Sequence, residues 1–451
     1  MPKLPQPGRV VILFFLLSVC FVFSQTISPS SPEEQRTAWY RDAKFGMFIH
    51  WGPYSLASVE ASWPIMRPSK EFPITEPEYR SLPDRFNPQH FDPYAWVALA
   101  KAAGQRYMVF TTKHHDGFCM FDSQFTDHKI TKTPYGKDIV AQLAEACKRE
   151  KMPLGFYYSP PDMSHPAFRD ITQPTSKNWQ GEPTRPEWPL YLDYMELQLR
   201  ELLTRYGDVA LIWFDGLYNQ GKYDGVRMQR VIHQLQPQTL INNRIGIAGD
   251  FETPEQFLPA SIPVKGKTLD FNHRETGTRP DQVPSPEDFR LWETCMTINH
   301  TWAYNKNDRD FKSSKQLVRT LIEVASRGGN FLLNVGPQPD GGIQPEFQER
   351  LLAIGKWLSV NGDSIYGTTY GPLQNLSFGR TTSKGRYIYL HVFDWPSGPL
   401  SVPQLTGKVA SVTLLAGDRA VSFEQQSGNL IIQTTGLQPD PYATVFKLRM
   451  Q

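Results

Sequence analysis

Apolar positions along this chain fall into two regimes. In the longer first part, short continuous apolar runs recur at wide intervals: GMFIHWG (46–52), YMVFTTKHH (107–115), PLGFYYS (153–159), VALIWFDG (209–216), TLINNR (239–244) and FLLNVGP (331–337). Continuous runs are the pattern of strands covered on both faces, where alternating runs would mark a face left to water. Helical spacing fills several of the gaps and predicts helices over 93–104, 138–152, 191–207 and 228–237. Strand and helix repeated in this way build parallel βα units. The length of the region fits a (β/α)8-like TIM barrel with insertions better than a doubly wound sheet. No glycine-rich phosphate fingerprint follows the first strand, which weakens a dinucleotide-binding reading.

Two long insertions interrupt the pattern. Residues 160–190 are rich in proline and polar side chains, and 245–290 carry glycine, proline and many charges. Both follow predicted strands, on the side of the barrel where strands end, and long loops in compact domains are commonly functional. Near 366 the regime changes. RLLAIGKWLSVNGDSIYGT (350–368) predicts a last barrel helix. RYIYLHVFDW, VASVTLLAG, NLIIQTT and ATVFKLRM then alternate between glycine, proline and asparagine turns. The expected organisation is a catalytic barrel over 25–366 and a C-terminal antiparallel β-sandwich over 367–451.

Residues 1–24 stand apart. Lys3 and Arg9 precede VVILFFLLSVCFVF, and Val22-Phe23-Ser24 offers a cleavage site before Gln25. This is the layout of a signal peptide, and the apolar run is shorter than the ~20 residues a span requires. An exported protein with no membrane span in its mature form is expected, periplasmic or extracellular. Cys20 leaves with the leader, and the widely spaced Cys119, Cys147 and Cys295 imply buried thiols, not a disulfide framework. Asn299 and Asn375 begin glycosylation sequons. Lys plus Arg number 47 against 45 Asp plus Glu, so no charge excess points to nucleic acid. Oligomeric state is not readable.

In a barrel of this kind, catalytic groups come from the C-terminal ends of several strands. Those ends read His50-Trp51-Gly52, Lys113-His114-His115-Asp116, Tyr157-Tyr158-Ser159, Trp213-Phe214-Asp215-Gly216 and Asn242-Asn243-Arg244. Aromatic, imidazole and guanidinium groups gathered at one rim suit a neutral ligand rich in hydroxyls, such as a sugar. His114-His115-Asp116 resembles a metal cluster, but neighbours on a strand point to opposite faces. No HExxH or CxxC spacing supports zinc, so neither metal nor cofactor is expected. Asp215 ends a run built for burial, where an unpaired carboxylate is costly. Asp-Gly is also an ordinary turn pair.

KFGMFIHWGPYS, TTKHHDGFCMFDSQFTDH, GFYYSPPD, LIWFDG, LINNR, GDFETPEQ, WETCMTI and GGNFLLNVGPQPDG occur in this order over residues 37–368. Together they resemble the α-L-fucosidases of glycoside hydrolase family 29. The resemblance implies a (β/α)8-like barrel followed by a β-sandwich, removal of terminal α-L-fucose with retention of configuration, and no metal. It implies Asp215 as nucleophile, and a retaining glycosidase needs such an ionised carboxylate beside a protonated partner. It places the acid/base in the loop after the nucleophile strand. Glu255 of GDFETPEQ is favoured, with Glu252 beside it and Glu293 of LWETC as the main rival. By the same resemblance His50, His114, His115, Tyr158, Trp213 and Arg244 bind the sugar, with histidine and tryptophan nitrogens donating to its hydroxyls. Trp63 helps close the pocket, with Glu60 or Ser62 supplying an adjoining polar contact. The expected partner is a fucosylated oligosaccharide or glycoconjugate. GDFETPEQ and WETC resemble the branch that prefers α1,3- and α1,4-linked fucose. Two alternatives stay open: the same fold acting on a sugar such as α-L-galactose, and a fucose-binding protein without catalysis.

Overall fold

Seven strands have every residue buried: β1 (Phe45–Ile49), β2 (Tyr107–Lys113), β3 (Leu154–Tyr158), β4 (Leu211–Phe214), β5 (Leu240–Ile241), β6 (Glu293–Thr297) and β7 (Asn330–Val335). The computed structural model describes residues 31–70, 72, 74–266, 283–374 and 376–451. The expected leader over 1–24 and the Asn375 sequon lie outside the described residues. All pairings in the sheet are parallel, in the order β5-β4-β3-β2-β1-β7-β6.

The two edges, β5 and β6, do not pair with each other. The segment between them bridges the gap: Phe251 pairs with Asn242 beyond β5, Glu252 with Trp292 and Glu255 with Cys295, each in the parallel sense. Glu293 N donates to Glu252 O at 2.8 Å, and Gln256 N to Cys295 O at 2.9 Å. The (β/α)8-like ring is therefore closed by an irregular eighth segment that also carries two of the three candidate acid/base glutamates. β6 is a strand the apolar pattern does not announce, because its sequence ETCMT is polar.

Side-chain alternation divides each strand between two cores. Phe45, Met47 and Ile49 of β1 pack outward among the helices, while Phe48 joins Tyr107, Tyr157, Leu211, Trp213 and Leu332 inside the ring. Gly46 shares the inward parity of Phe48. A Cβ there would meet the Tyr107 ring at 2.5 Å, so glycine is what lets that tyrosine cross the barrel floor. The predicted helices form over Pro93–Ala102, Ile139–Glu150, Trp188–Arg205, Gly225–Leu235 and Pro345–Asn361. Asp92, Asp138 and Asp224 cap three of them with side-chain oxygens on otherwise orphaned N–H groups. Ser314–Ser326, which the spacing argument had not marked, is a further helix, opened by a Ser313/Gln316 capping box.

From Thr369 onward the chain forms a six-stranded and a three-stranded antiparallel sheet. Leu390, Val412 and Phe446 of the first share one core with Val402, Leu430 and Ile432 of the second, as in a sandwich. Trp357 Nε1 donates to Ala443 O at 3.0 Å and Arg319 Nε to Tyr442 O at 3.0 Å, tying this unit to the barrel helices. Among the described residues no helix is long and apolar enough to cross a membrane.

Gly355 allows helix Pro345–Asn361 to approach helix Pro93–Ala102, because a Cβ there would lie 1.9 Å from Ala102 O. Gly355→Val should destabilise the protein by about 1–3 kcal/mol through overpacking. Leu352→Ala, on the exposed face of the same helix, should change stability little. Urea unfolding of both variants checks the contrast.

Candidate active site

A cavity opens at the C-terminal end of the strands, and Asp215 lies in its wall just beyond β4. His50, His114, His115, Trp63, Trp213 and Glu255 of the expected set line it as well. Arg244 reaches its edge through Asp215 and Glu255.

Arg244 organises the electrostatics. Its guanidinium lies 4.6 Å over the Trp213 ring, Nε donates to Thr253 Oγ1 at 2.8 Å and Nη2 to Thr253 O at 2.8 Å. Held in this way, Nη1 donates to Asp215 Oδ1 at 3.0 Å and to Glu255 Oε2 at 2.8 Å. One nitrogen thus carries both carboxylates, and their facing oxygens can be no farther apart than these two lengths laid end to end. Tyr157 Oη donates to Asp215 Oδ2 at 2.8 Å, with His115 Nε2 3.4 Å from the same oxygen. Burial pushes the Asp215 carboxyl up. Arg244, His115 and the Tyr157 hydroxyl outweigh it and hold the group below the usual carboxylate range.

The three histidines are fixed by their Nδ1 atoms. Asn334 Nδ2 donates to Trp302 O at 2.7 Å, which turns Asn334 Oδ1 toward His50 Nδ1, 2.7 Å away. His50 must therefore be protonated at Nδ1, leaving Nε2 as an acceptor. Burial lowers its pKa to about 4, so the ring is neutral near pH 7. His115 Nδ1 lies 2.7 Å from Ser159 Oγ, whose own hydroxyl donates to Pro161 O at 2.7 Å. His114 Nδ1 meets Ser62 Oγ at 2.9 Å, and burial drives both His114 and His115 toward the neutral form. Ser62, not Glu60, thus supports the histidine cluster. Ser62 N donates to Tyr79 Oη, which donates in turn to Asp116. Glu60 accepts from the backbone N–H groups of Trp302 and Ala303 at 2.7 and 3.0 Å.

Several expectations need correction. Tyr158 is not in the cavity. It points outward, donating to Gln198 Oε1 at 2.8 Å and accepting from Lys113 Nζ at 3.1 Å. Tyr157 occupies the inward parity, stacked on its register partner Trp213 with centroids 5.7 Å apart. The Trp213 indole N–H is not turned to the cavity either, because it donates to Glu293 Oε1 at 3.0 Å. His114 and His115 do not diverge: β2 ends at Lys113, the chain turns, and both rings face the cavity with centroids 4.2 Å apart. Together with Asp215 their donor atoms fall within 4.8 Å of one another, close enough for an ion. A cation there would have to compete with the Arg244 guanidinium already on Asp215.

The three glutamates separate cleanly. Glu293 is fully buried under the cavity floor, accepting from Tyr40 Oη at 2.9 Å, from Tyr107 Oη and from the Trp213 indole. Burial raises its pKa to about 7, with those donors opposing the rise. Glu252 is buried against Asn243 and Arg290. Only Glu255, 27% exposed, lines the cavity with Asp215. Sequence reasoning missed Phe48, Leu217, Cys295 and Trp302, which complete the wall. They add apolar surface to the cavity, and burial keeps the Cys295 thiol protonated.

The α-L-fucosidase family model matches residues 23–363. Among solved structures, α-L-fucosidase isoenzyme 1 from Paenibacillus thiaminolyticus is 37% identical with a TM-score of 0.82, over 93% of this chain and 100% of that one. A GH29 α-L-fucosidase from Bacteroides thetaiotaomicron, trapped as a covalent intermediate with 2-fluoro-fucosyl fluoride, is 28% identical with a TM-score of 0.76, over 92% of this chain and 96% of that one. The α-L-fucosidase of Dictyostelium discoideum is 27% identical over 97% of this chain and 98% of its own length. The chain belongs to the α-L-fucosidase family, glycoside hydrolase family 29.

Proposed function

We propose that this retaining α-L-fucosidase works by double displacement between Asp215 and Glu255. The observation that carries the assignment is the single Arg244 nitrogen bonded to both carboxylates inside the cavity. Their facing oxygens are too close for inverting geometry, which needs about 6.5–9.5 Å to seat a water, and suit the retaining spacing of about 5–5.5 Å. Asp215 attacks the anomeric carbon, and the glycosidic C–O bond breaks as its oxygen takes the proton of Glu255. The resulting fucosyl ester is then opened by water, whose proton passes to Glu255 while the Asp215 carboxylate departs. Substrate entering between the carboxylates releases Glu255 from Arg244, and Arg244 keeps Asp215 ionised for attack. His50 accepts a sugar hydroxyl at Nε2, while Phe48 and Trp302 supply apolar surface for the C6 methyl.

Labelling with 2-fluoro-fucosyl fluoride tests the nucleophile. The tag should map to Asp215, and Asp215→Asn should lose turnover on the order of a thousandfold or more and take up no label. A tag elsewhere overturns the assignment.

Glu255→Gln should slow hydrolysis of oligosaccharides by about 10²–10⁴-fold. It should spare kcat/KM for fucosyl fluoride, whose leaving group needs little protonation, and lower its kcat, because Glu255 no longer takes the proton of the water that opens the ester. Added azide should speed release of the ester in this variant. Glu293→Gln should show neither leaving-group selectivity nor azide rescue, since Glu293 has no access to the cavity.

Arg244 also sets a pH limit. Asp215 must be ionised to attack, and Arg244 favours that form, so Arg244→Gln should raise the Asp215 pKa. The acid limb of kcat/KM for fucosyl fluoride should move to higher pH. An unmoved limb would show that Arg244 does not tune the nucleophile.

A further inference from the structure

His115 Nε2 and Asp215 Oδ2 face each other at 3.4 Å, beyond the span of about 2.7–3.2 Å of an ordinary hydrogen bond. Ser159 decides what lies between them. Its hydroxyl donates to Pro161 O at 2.7 Å, so its oxygen must accept from His115 Nδ1, 2.7 Å away. In the neutral ring Nε2 then carries a lone pair, and two acceptors confront each other with no proton between them. A sugar hydroxyl can fill that gap, and so can a cation. Zinc holds nitrogen and carboxylate oxygen ligands at about 2.0–2.2 Å, and two such ligands at a tetrahedral angle stand about 3.4 Å apart. His115 and Asp215 already have that separation.

His114 completes a set of three. Among the described residues this is the one group of His, Cys, Asp or Glu whose three donor atoms all lie within 4.8 Å of one another. His114 Nδ1 rests on Ser62 Oγ at 2.9 Å, which leaves Nε2 as the ring nitrogen it can give. Its ring is also stacked on Tyr157, at an interplanar angle of 8°. Each imidazole is thus steered by a serine behind it, as ligating histidines are oriented in metal sites. Arg244 holds Asp215 by Oδ1, while Tyr157 takes one lone pair of Oδ2. The other lone pair of Oδ2 is left for an ion, so Arg244 weakens binding by like charge without covering the ligand atom. Two imidazoles and one carboxylate select zinc, copper or cobalt over magnesium and calcium, which take oxygen ligands.

We propose that His114, His115 and Asp215 form an inhibitory site for a divalent d-block cation such as zinc, with water in the fourth position. The ion is no cofactor. It takes the lone pair with which Asp215 attacks and the one to which a sugar hydroxyl donates, so ion and fucose exclude each other. The inference adds a second ligand to the fucosidase reading, but it does not depend on turnover, since the donor atoms alone define the site.

Calorimetric titration of the untagged protein with Zn²⁺ tests this. One equivalent should bind saturably, and excess Mg²⁺ or Ca²⁺ should not displace it. His115→Ala and Asp215→Asn should each abolish that binding, and Ser159→Ala should weaken it about 10–100-fold by releasing the ring. Arg244→Gln should bind Zn²⁺ more tightly, because a like charge beside Asp215 is gone, a gain that mere loss of structure would not produce. L-Fucose should weaken zinc binding by the factor that zinc weakens fucose binding. In turnover, Zn²⁺ should raise KM and leave kcat unchanged. Zinc that binds both ligand variants, or that ignores L-fucose, sits elsewhere, for example on the exposed His90 or His300. No binding at all would mean that His115 carries a proton toward Asp215. Any of these results overturns the proposal. If a ligand variant fails to fold, competition with L-fucose on the wild type decides the matter. A protein that binds zinc as described yet never cleaves fucosyl fluoride would count against the fucosidase reading alone.

Discussion

The site depends on one guanidinium held in one place. Two carboxylates on a shared cavity wall repel each other and resist burial, and an enzyme that needs both must supply a fixed positive charge between them. Arg244 does this because three things hold it: the Trp213 face, the Thr253 hydroxyl and the Thr253 carbonyl. The first comes from β4 and the other two from Thr253 of the closing segment, so the charge arrives already oriented and little reorganisation remains when substrate enters. The planar fork matters too. A lysine could approach one carboxylate but could not lie flat on the indole while reaching two partners.

Below this layer the barrel floor carries a second polar knot. Glu293 gathers two tyrosine hydroxyls and the Trp213 indole. The ring that supports Arg244 from beneath is therefore itself pinned from below. The cost of a carboxyl in the middle of a barrel is offset by three donors and by a pKa raised to about 7. That acid is a stay for the floor of the pocket, and its place inside the ring explains how β6 can be polar and still be wholly buried.

How much of this is legible in the chain follows from which signals are local. Six strands announce themselves as continuous apolar runs, and five helices by spacing, because burial on both faces or on one stripe leaves a mark in the sequence itself. β6 does not, since its inward positions answer to Tyr40, Tyr107 and Trp213, all remote in sequence. Asp215 and Glu255 are readable from motif resemblance, and Trp213 falls two residues from Asp215 on the same face. Choosing Tyr157 over Tyr158 needs the register of β3 against β4, which no local pattern contains. The donor and acceptor roles of the histidines depend on Asn334 and Ser159, whose importance lies in hydrogen bonds made across the fold.

The irregular eighth segment has a consequence for anyone who would redesign this enzyme. Phe251 to Gln256 both seals the gap between β5 and β6 and presents Glu255, the proposed proton donor, so the two duties are welded into six residues. Transplanting this stretch from another glycosidase would mean importing a stave of the cask along with its catalytic group. Variation in substrate preference is therefore freer to arise on the far bank, among loops that close nothing.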